Sequence, residues 1–183
     1  MRIISGLYGG RQLKSPSDNK TRPTSDRLRE TLFNVLAPRI DDETRFLDLC
    51  AGTGAIGIEA LSRGAAFVTF VDKSKKACAL IEQNLDTLAV PEEATDVLGL
   101  DAENFTGREH PTGWDIAFFD PPYDADYSLV LHEFGFNKTL LNDDGLLVVE
   151  HHTKKHIPDE VGSLRRWRIL KQGETSLSFF ERN

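Results

Sequence analysis

Cysteine is almost missing from this chain: Cys50 and Cys78 are the only two in 183 residues, far apart and without metal-ligand spacing. They are read as reduced, buried thiols of a cytoplasmic protein rather than as a disulfide or a metal clamp. Long apolar runs are missing too, and the opening MRIISG has no apolar core of the signal-peptide kind. A membrane span and a secretory leader are therefore not expected. Histidine is sparse. His151, His152 and His156 lie close in sequence, but no cysteine or acid completes a set, so they are read as a solvated loop and no metal is expected. His110 and His132 stand alone, and no internal repeat or low-complexity tract is visible.

A basic surplus is also lacking, since the net charge is −7, which at first sight argues against nucleic acid. The distribution changes that reading. Residues 1–30 carry seven basic side chains (Arg2, Arg11, Lys14, Lys20, Arg22, Arg27 and Arg29) against Asp18, Asp26 and Glu30. Arg165, Arg166, Arg168 and Lys171 form a second cluster. A basic arm on an acidic body can grip phosphates, because the local field decides. Chance asymmetry of a solvated surface is the plainer alternative.

What is present is an alternation. RIISG and GGRQLKS around Gly9–Gly10 predict a β-hairpin, PSDNKTRPTSD a turn-rich loop, and residues 25–37 a helix closed by Pro38. Strands are then predicted at 45–50, 66–72, 95–101, 114–120 and 145–152, with helices after the first, at 74–88 and around 127–135. Strands alternating with helices imply βαβ crossovers and a parallel sheet covered on both faces. RRWRILKQ and ETSLSFFER, joined at Gln172–Gly173, predict a terminal antiparallel hairpin, making seven strands. Phe179 and Phe180 are read as core, and Trp167 as edge packing or an RNA-facing aromatic. The expected division is an N-terminal basic extension of residues 1–40 and an α/β domain of residues 41–183.

DLCAGTGAIG spans 48–57, with Gly52, Gly54 and Gly57 satisfying G-x-G-x-x-G after a strand and before a helix. Asp48 precedes that loop and could orient it or attract a ligand's ammonium group. Asp72 ends the second strand, where a carboxylate can accept from two ribose hydroxyls. Asp101 ends the third, with the Ala102 amide beside it, placed for an adenine. Each acid could equally cap a helix, and the adenosine could belong to a dinucleotide or to S-adenosylmethionine (SAM). Asp120 ends the fourth strand and opens Asp120-Pro121-Pro122-Tyr123. Two prolines stiffen that corner. Asp120 and the Pro121 carbonyl can accept from an exocyclic amine and aim its lone pair, while Tyr123 offers a face on which a flipped base can stack.

RIISGLYGGRQLK…TRPTSDRLRETLFNVL, DLCAGTGAIGIEALSRGA and DPPY together resemble the RsmD-type methyltransferases over nearly the whole chain. These are bacterial enzymes that use SAM to methylate the exocyclic N2 of one guanine in 16S rRNA. The resemblance implies a Rossmann-like, seven-stranded SAM-dependent methyltransferase fold with the N-terminal hairpin and helix as an extension. It implies cofactor roles for Asp48, Ala51, Gly52, Gly54, Asp72, Asp101 and Ala102, and catalytic roles for Asp120, Pro121, Pro122 and Tyr123. It also implies that Arg22, Thr24 and Arg27 hold cofactor and RNA over the site. The TRPT segment could instead serve only to cap the following helix. Cys50 stands where relatives often carry phenylalanine, which would leave the pocket floor looser. The expected partner is 16S rRNA within a small-subunit particle, and the expected state a monomer. DNA adenine-N6 methylation is the alternative for the same motif, and an NAD-dependent oxidoreductase a more distant one.

Overall fold

The structure is a computed structural model that describes residues 1–16 and 25–182. Its centre is an eight-stranded sheet in the order β3-β2-β1-β4-β5-β8-β7-β6. The parallel part is built from β1 (Arg45–Leu49), β2 (Phe67–Val71), β3 (Thr95–Leu98), β4 (Trp114–Phe119) and β5 (Leu141–His152). β8 (Thr175–Arg182) joins β5 antiparallel, β7 (Leu164–Gln172) joins β8, and a two-residue β6 (Glu160–Val161) closes the edge. The seven expected strands are all present. The eighth, β6, is too short to leave a periodic signal.

Side chains alternate across each strand, which sends Phe46, Phe70, Phe118, Val148 and Phe179 to one face. There they meet Leu32 and Phe33 of α1 (Asp26–Leu36), Ile58 of α2 (Ala55–Ser62) and Ile81 of α3 (Lys75–Leu88). Leu47, Val71, Phe119, Val149 and Phe180 face the other way. They pack on Phe105 of α4 (Ala102–Thr106) and on Val130 and Phe134 of α5 (Ser128–Phe136). With both faces covered, the central strands read as apolar runs. The hydroxyls of Ser25 and Ser74 cap α1 and α3, accepting from Leu28 N at 3.2 Å and Ala77 N at 3.3 Å. Among the described residues no helix is long and apolar enough to cross a membrane.

α2 lies unusually close to the sheet. A Cβ at Gly57 would sit 2.3 Å from Phe70 Cε1 and 2.8 Å from Val68 Cγ1, both on β2. Gly57→Ala is therefore expected to overpack this contact and cost about 1–3 kcal/mol. Thermal denaturation would show the loss as a Tm lower by several degrees. An unchanged Tm would mean the helix can lift off freely.

The expected N-terminal hairpin is present in short form: around the antiparallel bridge of Arg2 with Gln12, Leu13 N donates to Met1 O at 2.8 Å, Ile3 N to Arg11 O at 3.0 Å and Gly10 N to Ile3 O at 2.9 Å. Toward the turn, the amides of Ile4, Ser5 and Leu7 are directed to α2. Ile4 N and Ser5 N donate to the Glu59 carboxylate at 2.8 and 3.1 Å, and Leu7 N donates to Ser62 O at 2.7 Å. Lys14 N donates to Asn84 Oδ1 of α3 at 2.8 Å. Ile3 and Leu13 belong to the same apolar cluster as α1 and Phe46. Arg29 is fully buried and ties α1 back to this segment, donating to Arg2 O at 2.7 Å and to Asp26 Oδ1 at 2.8 Å. Smaller departures concern boundaries: the third strand stops at Leu98 rather than 101, and β5 starts at Leu141 rather than 145.

Candidate active site

The strand order reverses between β1 and β4, so the connections leaving their carboxyl ends diverge to opposite faces and leave a crevice between them. The crevice has a volume of about 1980 Å³ and runs from the loop after β1 to the β7–β8 turn. Single-ligand pockets span roughly 300–1,000 Å³, so this one has room for a cofactor and a second group.

The glycine loop forms its floor. Cys50 N and Ala51 N both donate to Val71 O, at 2.9 and 3.1 Å, which pins the loop to the end of β2. Gly52 N donates to Asp72 Oδ2 at 2.9 Å, and Ser74 N to Asp72 Oδ1 at 2.8 Å. Gly52 adopts φ +56°, and among the described residues no atom lies within 4 Å of where its Cβ would be. That space belongs to the crevice, and a side chain would intrude on it. Cys50 also has positive φ, 67°, and is half-buried, as is Cys78, rather than fully buried as expected. Burial pushes the Cys50 thiol up to about 12, with Asp72 and Asp120 adding to the effect.

Asp48 is 2% exposed and faces α2, accepting from Gly57 N at 2.9 Å. It thus fixes the first turn of α2, and it also lines the crevice. Burial raises its carboxyl to about 7, the Gly57 bond pulls the other way, and Asp72 raises it further. An unfolded aspartate titrates near 3.9. A raised folded value means stability is fully present below about pH 4 and is lost as pH climbs through about 7. Asp48→Asn keeps an acceptor for Gly57 and removes the charge. Its stability relative to wild type is expected to improve by about 1–3 kcal/mol between pH 4 and pH 8. Denaturant unfolding at the two pH values measures this, and a flat difference would mean Asp48 is not paying for burial.

Asp101 caps α4, accepting from Asn104 N at 2.8 Å and from Asn104 Nδ2 at 2.5 Å. The backbone bond from Asn104 is the main reason its carboxyl is held low. It lines the crevice together with Ala102. The helix-cap reading and the crevice-lining reading therefore describe one residue. α4 itself, five residues long, left no signal in the sequence.

Across the crevice, Asp120 N donates to Leu49 O at 3.2 Å, holding the end of β4 against β1. Burial, then Glu150, then Asp48 push the Asp120 carboxyl well above the usual range. Pro121 is buried and Pro122 exposed. Tyr127 Oη donates to Pro121 O over a long 3.4 Å. Tyr123 is half-buried; its hydroxyl shares a 2.8 Å hydrogen bond with Thr175 Oγ1, and its ring meets His152 edge-on at 5.5 Å.

Three residues here went unread in the sequence. Lys155, placed in a solvated loop, instead donates to Tyr123 O at 3.1 Å and to Ala125 O, with its ammonium 3.7 Å over the Tyr127 ring. It clamps the segment after β4. Thr175, at the start of β8, fixes the Tyr123 hydroxyl. Glu150 is 5% exposed and lines the crevice. An acid interrupting GLLVVEHH at the carboxyl end of a strand was the available clue. His151 likewise is not in a solvated loop: it is buried in β5, hydrogen-bonded to Ser178 Oγ at 2.9 Å, and burial lowers its pKa.

Arg22 and Thr24 lie outside the described residues. Arg27 is exposed on the first turn of α1, between Ser25 and Leu28, which line the crevice. Phe179 and Phe180 are fully buried, while Trp167 is 45% exposed and rests on Phe179 with ring centroids 5.8 Å apart. Among the described residues no cluster of His, Cys, Asp and Glu could hold a metal ion.

Comparison with known proteins matches this arrangement. The family model described as "Conserved hypothetical protein 95" matches residues 1–181. The ribosomal RNA small subunit methyltransferase D of Escherichia coli strain K12 is 34% identical, over 100% of this chain and 90% of that protein. Its namesake from Haemophilus influenzae is 34% identical over 97% of this chain and 90% of its own. A solved chain described as "Putative methyltransferase yhhF from Escherichia coli" superposes with TM-score 0.89 at 33% identity, covering 100% of this chain and 98% of that one. The chain belongs to the conserved hypothetical protein 95 family, that of the RsmD-type methyltransferases.

Proposed function

We propose that this chain is a SAM-dependent methyltransferase of ribosomal RNA, acting on the exocyclic N2 amine of one guanine in bacterial 16S rRNA. The observation that carries the reading is Asp120: a half-buried residue on a proline-braced corner, its carboxyl raised by desolvation, in one crevice with the glycine loop. The names and full-length similarity of the relatives support the ribosomal target.

The residues present fit the cofactor. The open space at Gly52 admits a ligand against the backbone. Asp48, Asp72 and Asp101 supply acceptors for an ammonium group, ribose hydroxyls and an adenine amine, with the Ala51 backbone and the Ala102 amide around them, whereas Gly54 turns toward Ile81 and Phe70 and does not line the crevice. Seven acids line this crevice (Asp48, Asp72, Asp101, Glu103, Asp120, Asp126 and Glu150) against Lys73 and Lys76, a field that favours a cation over the pyrophosphate of a dinucleotide. SAM, when bound, supplies an activated methyl group carrying positive charge on sulfur. The chain's own work is positioning. Asp120 accepts from the amine, whose lone pair is otherwise delocalised into the base, and the Pro121 carbonyl offers a second acceptor. Tyr123, fixed by Thr175 and Lys155, provides a face for the flipped base, worth roughly 1–3 kcal/mol.

A basic N-terminal arm including Arg22, Thr24 and Arg27 grips the RNA, and the acidic remainder disfavours indiscriminate contact. The substrate is accordingly a protein-coated small-subunit particle in the cytoplasm, and the enzyme a monomer. Methyl-labelled SAM, incubated with small subunits and with bare rRNA from cells lacking the modification, should label guanine N2, faster on the particle. Label on DNA adenine N6 instead would replace this reading with the alternative substrate.

A further inference from the structure

The outer edge of the sheet mixes cations with exposed apolar side chains. β6 pairs only with Leu164 and Arg165 of β7, so among the described residues the stretch of β7 from Trp167 to Gln172 has no strand on its outer side. That open stretch holds Trp167, Arg168, Ile169 and Lys171. Trp167 is 45% and Ile169 40% exposed, and Arg168 and Lys171 are exposed too. Cations on an edge strand discourage edge-to-edge pairing of sheets. That task explains Arg168 and Lys171, but it gives no reason to leave a tryptophan and an isoleucine in water beside them.

Trp167 is the extra residue of a β-bulge. Arg166 pairs with Phe180 and Arg168 with Phe179, so the residue between them falls outside the register. Bulges turn side chains out of the regular alternation. The indole keeps contact with Phe179, with ring centroids 5.8 Å apart and planes inclined at 55°, and leaves nearly half its surface open. The Arg168 guanidinium lies 6.0 Å from the centre of the Trp167 ring. An open aromatic face beside a guanidinium suits an unpaired base and the phosphate next to it.

Charge along the strand is graded. Arg165 lies 3.8 Å from Glu160, and Arg166 is paired with Asp159. Further along, β8 sets Phe179, Ser178, Leu177 and Ser176 opposite residues 168–171, all of them neutral. The next acid in the chain, Glu174, lies beyond the turn, 4.0 Å from His152. On a chain of net charge −7, Arg168 and Lys171 thus make a local positive field, which attracts a polyanion.

The strand also leads to the crevice. β7 is antiparallel to β8 and β8 to β5, so β7 runs with β5 and ends on the rim where β4 reaches Asp120. Its last residue, Gln172, lines the crevice with Gly173 and Thr175. Phe119, Val149, Ser178 and Ile169 form one row across the sheet. Ile169 therefore lies three strand spacings, roughly 14 Å, from the residue before Asp120. Nucleotides flanking a base flipped into the crevice can reach that far along their strand.

We infer that the open edge of β7 is an RNA-binding track, in which Trp167 stacks an unpaired base while Arg168 and Lys171 hold phosphates of the strand running out of the crevice. Side chains alternate, so Trp167 and Arg168 lean to the Phe179 face and Ile169 and Lys171 to the other. The RNA accordingly straddles the edge of the sheet rather than lying on one face. The inference rests on the chain acting on RNA, and it adds a second contact to that of the N-terminal arm.

Tryptophan fluorescence reads the contact, because the other indole, Trp114, is only 4% exposed. Bare 16S rRNA from cells lacking the modification has no indole of its own; titrated into the whole chain, it should quench the emission and shield it from acrylamide. Trp167→Leu keeps an apolar contact with Phe179 and removes the stacking face. It should bind this rRNA about five-fold or more weakly, with SAM affinity and Tm close to wild type. Arg168→Gln combined with Lys171→Gln should weaken binding about tenfold at low salt and flatten the slope of log affinity against log salt by about 1–2. Arg108→Gln combined with Lys138→Gln removes the same charge from exposed residues that precede β4 and β5, away from the rim, and should do much less. Equal losses in the two double variants overturn the track, because net charge then accounts for the effect. Absence of quenching, or unchanged affinity in Trp167→Leu and in the β7 double variant, overturns it as well. Weaker binding of those variants to small subunits, with binding to bare rRNA unchanged, overturns it in favour of a protein of the particle as the occupant of β7. In all these cases methylation of guanine by the wild type persists and the proposed function stands. Absence of methyl transfer from SAM to any RNA removes both.

Discussion

Asp120→Ala is expected to reduce methyl transfer by roughly 10²–10⁴-fold while leaving the fold and the affinity for SAM close to wild type. The residue lies at the end of β4, and its backbone amide, not its side chain, holds β4 to β1 through Leu49 O. Truncation therefore removes the acceptor without cutting the sheet. No loss of stability follows either. A carboxyl raised by desolvation and by Glu150 costs stability as pH rises through its folded value. Its removal takes that cost away, so the Tm at pH 8 should equal or exceed wild type. Single-turnover methylation of small subunits, with SAM affinity and Tm measured in parallel, separates these effects. Activity within tenfold of wild type, at unchanged SAM affinity, would falsify the role of Asp120. A collapse of SAM affinity would instead move Asp120 into the cofactor's half of the crevice.

The parallel core was legible because its strands are short apolar runs, each closed by an acid and followed by helical periodicity. Asp48, Asp72, Asp101 and Asp120 could be placed on one rim from that pattern alone. What pairs with what across the sheet was not written in any local stretch. Glu150 was visible as an acid in an apolar run, but its place near Asp120 follows only from the β4–β5 register, which sets Phe119 opposite Val149. Lys155 looked like a loop cation because its partners, the Tyr123 and Ala125 carbonyls, are about thirty residues earlier. The short reach of the N-terminal hairpin has a similar cause. Gly9–Gly10 between apolar residues is a sound local signal. It does not reveal that Ile4, Ser5 and Leu7 have competing acceptors on α2.

That competition identifies Glu59 as the residue whose loss should weaken the structure most. Its side chain is fully buried. It accepts from Ile4 N, from Ser5 N and, at 2.8 Å, from Arg63 Nε. The Arg63 guanidinium in turn lies 5.0 Å over the Phe33 ring of α1. One carboxylate thus joins α2, the N-terminal segment and, through Arg63, α1. Glu59→Ala strands two backbone donors and leaves a partly buried cation without its partner, a loss of about 3–5 kcal/mol. Glu59→Gln keeps one acceptor oxygen and should cost less. Hydrogen exchange locates the damage. The Ile4 and Ser5 amides should lose protection in the alanine variant, while amides of β4 and β5 exchange only with global unfolding. Continued protection at Ile4 and Ser5 would show that Ile3 and Leu13, packed in the core, hold the segment without the carboxylate. The outcome also bears on the crevice, because Met1, Ser15 and Pro16 form part of its lining. A detached N-terminal segment should therefore weaken SAM binding in step with the lost protection.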